Sequence, residues 1–404
     1  MKRILILGGA GRMSSGTARD LLATYSHSIE KLIIADSSNE RLDILRQSLT
    51  DSRIETHIID VTDRQIILSL LAKCDVCINA VPTFAGLQMD IFHACFEAKR
   101  NYVDYGGMGI YTVQQKAEHD QWEKAGITAI LGLGADPGLS NILCRVVADR
   151  LDKIDKINLY WAAKLIGDEN PILIPPYNLS TVLAEYTNPS QQFLNGKLQQ
   201  VPAQSGFETI DLPEPFGKTS FMHSQHSEPL TVPFANGIKE KGMQEFTWKL
   251  SLPEREHQAW IGLVKAGFGE SFDEDVTLPN GTSVRPVDVL QAVIDRNIER
   301  HKKRIPDQEL HEIHFAIGQG VKEGNSCRVT ARMIGLPDPM YNEYVDACTS
   351  MSMSIGVQQF LNTETTRKSG VYAPEEYFNA DKFLEEIRKR NFKVEIETQI
   401  TEKD

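Results

Sequence analysis

Gly9-Ala10-Gly11-Arg12-Met13-Ser14 stands between a short apolar run, Arg3-Ile4-Leu5-Ile6-Leu7, and a stretch with helical spacing. Glycines so placed suit one kind of ligand. Gly9 permits a sharp turn, and Gly11 lets the backbone approach a pyrophosphate over the positive end of the helix that Arg12 and Met13 begin. Ser14 replaces the usual last glycine, where the requirement is only a small residue. Further on, Lys31-Leu32-Ile33-Ile34-Ala35 reads as a second apolar strand ending in Asp36. A carboxylate there accepts hydrogen bonds from ribose hydroxyls and repels a 2′-phosphate, which predicts NAD. Ser37, Ser38 and Arg41 could accommodate the phosphate of NADP instead. The plain alternative is a glycine-rich turn of any doubly wound domain, with Asp36 an ordinary cap.

A nicotinamide cofactor needs a side chain that moves a proton. Asp136, in Ala135-Asp136-Pro137-Gly138 at the end of a strand, is the first candidate, although it could equally cap the helix that follows. His223 is the second candidate, with His226 close behind, because imidazole titrates near neutrality. No third ligand of suitable spacing accompanies this pair, so no metal is expected. Lys249 could hold a substrate carboxylate, Tyr177 could pack on the nicotinamide, and Tyr105 enters a glycine turn on the substrate side. Cys74 and Cys77 form a CxxC, but they straddle the entry to an apolar strand, so neither a redox nor a metal role is expected.

These residues require a scaffold that the pattern supplies. Strands are expected at Ile54–Ile59, Asp75–Pro82, Asn101–Tyr105 and Ile127–Gly134, alternating with helical stretches at Asp63–Ala72, Gln88–Ala98 and Tyr111–Ala125. That alternation predicts an α/β fold, a Rossmann-type doubly wound parallel sheet over 1–138. Ligands lie outside the carboxyl ends of such strands. There Asp60 could meet an adenine, and Asn79 to Val81 the nicotinamide side. After Leu139 the alternation is lost. A second α+β domain of mainly antiparallel sheet, over 139–340, is expected to bind substrate on one face and form a homodimer on the other. Residues 341–404 are expected to pack back on the first domain as helices, with an exposed connection at Asn362–Ser369 and frayed residues from Ile396 to Asp404.

The 404 residues suffice for two domains. With 43 basic against 55 acidic residues the formal charge is -12, which argues against nucleic acid or an anionic membrane surface as a partner. No apolar run reaches membrane-spanning length, and the opening run is too short for an export signal. Six cysteines are too sparse for a disulfide scaffold, so a reducing cytoplasm is expected.

From Gly132 to Asn141, GLGADPGLSN, the chain resembles the saccharopine dehydrogenase family, including its lysine 6-dehydrogenase and carboxynorspermidine dehydrogenase relatives. GAGRM and ARDL near the start, AGIT before DPG, and GVYAPEEYF from Gly370 extend the likeness. The resemblance implies an NAD(P)-dependent oxidoreductase that makes or breaks a C–N bond in a lysine-like amino acid or imine. It assigns Gly9 to Met13 to the pyrophosphate, Asp36 to the ribose, and Asp60 and Val61 to the adenine end. Asn79, Ala80 and Val81, with Ala135 and Asp136, would flank the nicotinamide. Ser180 stands where saccharopine-forming members carry an FSWS-type segment that binds cofactor and substrate. Two departures set the chain apart. Phe221–Ser227 lacks the arginine of the saccharopine-forming enzymes, and Asp136 replaces the alanine that lysine 6-dehydrogenases tend to carry before Pro-Gly. Lysine 6-dehydrogenase activity and a non-catalytic dinucleotide sensor are the rival readings.

Overall fold

The computed structural model describes residues 1–168, 170, 172–269, 274–335, 347–362, 368–390 and 392–401. Lys2–Leu7 (β1), Ile29–Asp36 (β2), Ile54–Ile58 (β3), Val76–Asn79 (β4), Asn101–Asp104 (β5) and Thr128–Ile130 (β6) form a parallel sheet in the order β6-β5-β4-β1-β2-β3. Ile4 to Leu7 and Leu32 to Ala35 are wholly buried because both faces are covered. Ile4, Ile6, Ile34 and Ile78 pack on one side, and Leu5, Leu7, Ile33 and Cys77 on the other. Runs buried on both faces read as continuous apolar stretches, which is why the sequence disclosed them. Strand order reverses between β1 and β4, opening the crevice at the carboxyl edge.

The second sheet uses Lys153–Ile166 (β7), Ser190–Leu194 (β8), Lys197–Val201 (β9), Glu208–Leu212 (β10), Gly217–His223 (β11) and Glu245–Ser251 (β12). Val276–Thr277 (β13) and Ser283–Val284 (β14) form a separate hairpin, and Glu309–Lys322 (β15) and Asn325–Gly335 (β16) return to the large sheet. Two strands come from the end of the chain, Gly370–Tyr372 (β17) and Lys393–Thr401 (β18). The path is β10-β11-β12-β7-β15-β16-β18, with the β8–β9 hairpin attached to β12. This sheet is mixed, because β12 runs parallel to β7 at its centre.

The tail differs from expectation. β17 pairs parallel with β6 and completes a seven-stranded first sheet. Three residues are too few to show a period. Ile396 to Thr401, expected to fray, belong to β18, which pairs antiparallel with β16. Val394 and Ile396 pack on the core, while Arg332 of β16 meets Glu395 at 2.7 Å across the pair. Such cross-strand partners are invisible in a polar tail read alone. The helix expected from Tyr341 is described over Ala347–Asn362, and 341–346, 363–367 and 402–404 lie outside the described residues.

That helix seats the two halves together. The Ser350 hydroxyl donates to the Met13 carbonyl, and Thr17 donates back to the Ser350 carbonyl. At Gly356 a side chain would strike Leu133, whose δ carbon lies 2.2 Å from the place of a Cβ. Behind it, the Arg390 guanidinium bonds both oxygens of the buried Asp20.

Candidate active site

The glycine-rich turn is stitched by its own backbone. Gly8 and Gly9 donate to the Ala35 carbonyl, and Ser14 Oγ donates to the Gly8 carbonyl at 2.7 Å. Ser14 therefore braces the turn as well as being small. Gly8, not Gly9, takes the left-handed conformation, with φ of +73°, and a Cβ there would lie 2.8 Å from the Ala80 carbonyl oxygen. Gly9 must be glycine for another reason: a Cβ would approach Ile34 to 2.7 Å. Gly11 caps the Arg12–Thr24 helix with no side-chain bond across its first amides. Such amides face outward without helical partners and suit a pyrophosphate. Asp36 ends β2 beside the turn, where its carboxylate accepts from the Ala10 and Ser38 amides at 3.0 Å each. Ser37 is exposed next to it. Asp60 and Val61 follow β3 at the same edge, and Asp60 turns its carboxylate to Thr62. The residues fit a dinucleotide.

At the end of β4, Asn79 accepts from the Val81 amide and donates to the Tyr102 hydroxyl. Ala80 and Val81 are thereby held against Gly8. Tyr102 in turn donates to Asp104, a buried carboxylate that also takes the amides of Gly106 and Gly132 and the side chains of Gln88 and Gln115. Burial raises its pKa and these bonds oppose the rise. Asp104 thus ties the loop after β6 to the end of β5. That loop carries Ala135 and Asp136, and closes at Gly138, where a Cβ would fall 2.1 Å from the Gly134 carbonyl oxygen. Asn141, in the first turn of the Leu139–Asp149 helix, accepts from the Gly138 amide.

Asp136 faces β15. Its Oδ2 lies 2.5 Å from His314 Nδ1, and His314 Nε2 lies 3.4 Å from Glu312. Oδ1 of Asp136 is shut from solvent and makes no hydrogen bond among the described residues. Around this pair the cleft gathers further carboxylates. Glu185, in the Leu179–Thr187 helix, accepts from the Tyr177 hydroxyl at 2.5 Å. Burial pushes its pKa up to about 7, with the Asp136 charge adding to the rise. Glu228 is fully buried between His226 Nδ1 at 2.9 Å and the Ser140 hydroxyl at 2.7 Å. Burial alone would depress His226, but Glu228, Asp136 and Glu185 raise it overall. Its ring stacks on Trp248 at 3.8 Å. Glu375, from the returning tail, accepts from Asn141 and is pushed up to about 7 by burial. Among the described residues, four buried carboxylates and the half-buried Asp136 therefore share the region with two imidazoles.

The structure brings together Gly9, Gly11, Arg12, Met13, Asp36, Asn79, Ala80, Val81, Ala135 and Asp136, with Tyr177 across the cleft. Arg12 reaches over to the Pro176 carbonyl, next to Tyr177. Ser180 sits one turn before Glu185, partly exposed. Tyr105 is half-buried, and its hydroxyl is taken up by Thr17 at 2.6 Å. His223 and Lys249 are placed elsewhere. Pleating sends Trp248, Glu312 and His314 to one face of the second sheet and Lys249, Tyr160 and His223 to the other. There Lys249 is bound to Glu208 at 2.7 Å, and burial with the Lys249 charge pushes His223 down to about 4. Glu185, Glu228, Glu312 and His314 went unnoticed in the sequence, where each is one polar residue in an otherwise ordinary element. A signal was present for Glu312 and His314: they stand at alternate positions of an apolar strand and so face one side.

Glu185 links the site to stability. Its pKa of about 7 in the fold exceeds the ordinary 4.5, so the folded chain binds the extra proton and loses stability as pH rises between those values. Glu185→Gln keeps an acceptor for Tyr177 without the charge. It should match the parent chain at pH 4 in urea unfolding and exceed it by about 3 kcal/mol at pH 8. Equal stability at both pH values would refute the raised carboxyl.

Comparison with known proteins agrees with this architecture. The saccharopine dehydrogenase NADP binding domain matches residues 4–130, and the saccharopine dehydrogenase C-terminal domain matches 134–392. Carboxynorspermidine synthase of Vibrio alginolyticus is 27% identical over 273 residues, which span 62% of this chain and 61% of the relative. That of Vibrio cholerae is 25% identical over 276 residues, again 62% of this chain and 61% of the relative. Saccharopine dehydrogenase (L-Glu forming) from Saccharomyces cerevisiae superposes with a TM-score of 0.70 over 99% of this chain and 100% of its own, at 14% identity, and so shares the fold. With both of its domains matched in order along one chain, and with a cradle shaped for NAD(P), this protein is a member of the saccharopine dehydrogenase family.

Proposed function

We propose that this oxidoreductase makes or breaks a C–N bond in a substrate richer in ammonium groups than in carboxylates, such as a diamine joined to an amino-acid-derived aldehyde. One observation carries the reading: the excess of buried carboxylates over imidazoles beside Asp136. A site so charged favours cations, and a carboxylate-rich substrate such as saccharopine would be repelled. Phe221–Ser227 also supplies no arginine. The relatives named carboxynorspermidine synthase, a name denoting a polyamine with an added carboxyl group, support the same substrate class.

NAD(P) supplies hydride donation or acceptance at the carbon next to nitrogen. Gly9, Gly11, Arg12 and Met13 would hold its phosphates, Asp36 its ribose, and Asn79 to Val81 with Ala135 its nicotinamide side. Asp136 Oδ1, without a partner among the described residues, accepts from the substrate amine and orients it. Glu185, with a pKa near the working range, moves the proton. Tyr177 holds Glu185 in place, and the apolar wall of Trp161 and Trp248 excludes water.

Purified protein with NADH or NADPH should oxidise the reduced cofactor when given a diamine and an amino-acid semialdehyde together. Lysine and saccharopine should support far less turnover in the reverse direction. Saccharopine as the best substrate would sink the charge argument, and lysine alone would favour lysine 6-dehydrogenase. Asp136→Asn, which removes the charge that orients the substrate amine, should slow turnover by about 10²-fold, the size of a lost positioning contact, with NADH affinity unchanged. Asp36→Ala should weaken NAD binding more than NADP binding by calorimetry, and equal losses would remove the ribose assignment.

A further inference from the structure

We propose that His314 is a positioning residue for this chemistry: clamped between Asp136 and Glu312, it carries a proton that fixes Asp136 and leaves only Oδ1 for the substrate amine. The inference rests on the reading that Asp136 meets the substrate.

Geometry supplies the argument. Glu312 and His314 alternate along β15 and so share a face, and His314 is 1% exposed. Its neighbours across the sheet are Trp161 and Met333. The two ring nitrogens face two carboxylates, Asp136 at 2.5 Å and Glu312 at 3.4 Å. A neutral imidazole has one donor and one acceptor nitrogen, and only the imidazolium can donate to both sides. Neutral His314 would set a lone pair against a buried carboxylate.

Glu312 is held for this purpose. Trp161 Nε1 donates to it at 3.3 Å, and at Gly335, opposite on β16, a Cβ would crowd it at 2.9 Å. Among the described residues, three ionisable groups face the ring: Asp136 from the loop, Glu312 from its own strand, and Cys348 from the Ala347–Asn362 helix. Burial opposes the imidazolium, yet the Asp136 charge in contact with the ring, with Cys348 and Glu312 beside it, holds the pKa of His314 well above its ordinary value. Oδ2 of Asp136 stands in ion-pair contact with His314, whose ring nitrogens are not aligned for a hydrogen bond among the described residues, and Oδ1 is the oxygen turned away from the ring.

The test uses full-length protein labelled with ¹⁵N-histidine, with His314 resonances assigned by their loss in His314→Gln. In the parent chain both ring nitrogens should remain protonated at about pH 8, against an ordinary histidine pKa of about 6.5. In Glu312→Gln, which keeps the shape and removes a charge, the ring should lose its proton at least about one pH unit lower. A parent ring that is neutral at pH 7, or one that titrates identically in Glu312→Gln, overturns the proposal. This arm needs no turnover, so it stands apart from failure of the C–N reading.

Kinetics supply the second readout. His314→Gln should lose the alkaline limb of the kcat/KM profile and at least tenfold in kcat, with the NAD(P)H Kd unchanged, and Glu312→Gln should move that limb to lower pH. A limb at the parental pH in both variants overturns the role. So does parental activity that vanishes on dialysis against a chelator and returns with a divalent metal, since His314 would then be a ligand.

Discussion

A carboxylate and an imidazole 2.5 Å apart, the imidazole buried and the carboxylate largely shielded from solvent, govern how the two sheets of this protein face each other. Asp136 belongs to the loop leaving the parallel sheet, and His314 to the middle of the mixed one. Neither position tolerates much displacement, because separating the pair would leave a charge buried without its counterpart. The surrounding bonds make that displacement difficult. Asp104 secures the near end of the loop through the Gly106 and Gly132 amides, and Asn141 secures the far end through the Gly138 amide. Glu375, arriving with the C-terminal tail, grips Asn141 from behind. Cleft geometry is thus set jointly by the beginning, middle and end of the chain.

Concentrating acid in this cleft works against the fold. Glu185 and Glu375 both sit near pKa 7 because burial disfavours their charged forms. A stability-optimised interior would carry apolar residues there. The same arrangement creates a place where an ammonium group meets partners that water does not reach. Selective binding of cations and a carboxyl poised near neutrality are two consequences of one desolvated cluster.

Much of the first domain was legible because its code is local. Strands buried on both faces advertise themselves as uninterrupted apolar runs, and Gly9, Gly11, Ser14 and Asp36 lie along one short strand-turn-helix-strand unit. Even so, the reason behind each glycine was not. Spacing suggested that Gly9 makes the turn, but Gly8 does so, and Gly9 is needed for clearance from Ile34. In the second domain the parallel pairing of β12 with β7 was not readable, because partner choice over a long separation leaves no trace in either strand.

The sequence by itself determined the doubly wound domain, the cofactor cradle, Asp136 as the residue at the exit of the sheet, and the family through its ordered motifs. Tertiary structure alone decided which polar side chains share the cleft. His223 and His226 are three residues apart, yet the first lies with Lys249 behind the sheet and the second stacks on Trp248 before it. His314 and Glu375 come from far along the chain to meet Asp136 and Asn141. The physical reason is that periodicity reports which face of its own element a residue occupies, while the charge environment of a site depends on which elements are stacked there. That stacking is settled by packing and by the pairing of buried charges, neither of which is a property of neighbours in sequence.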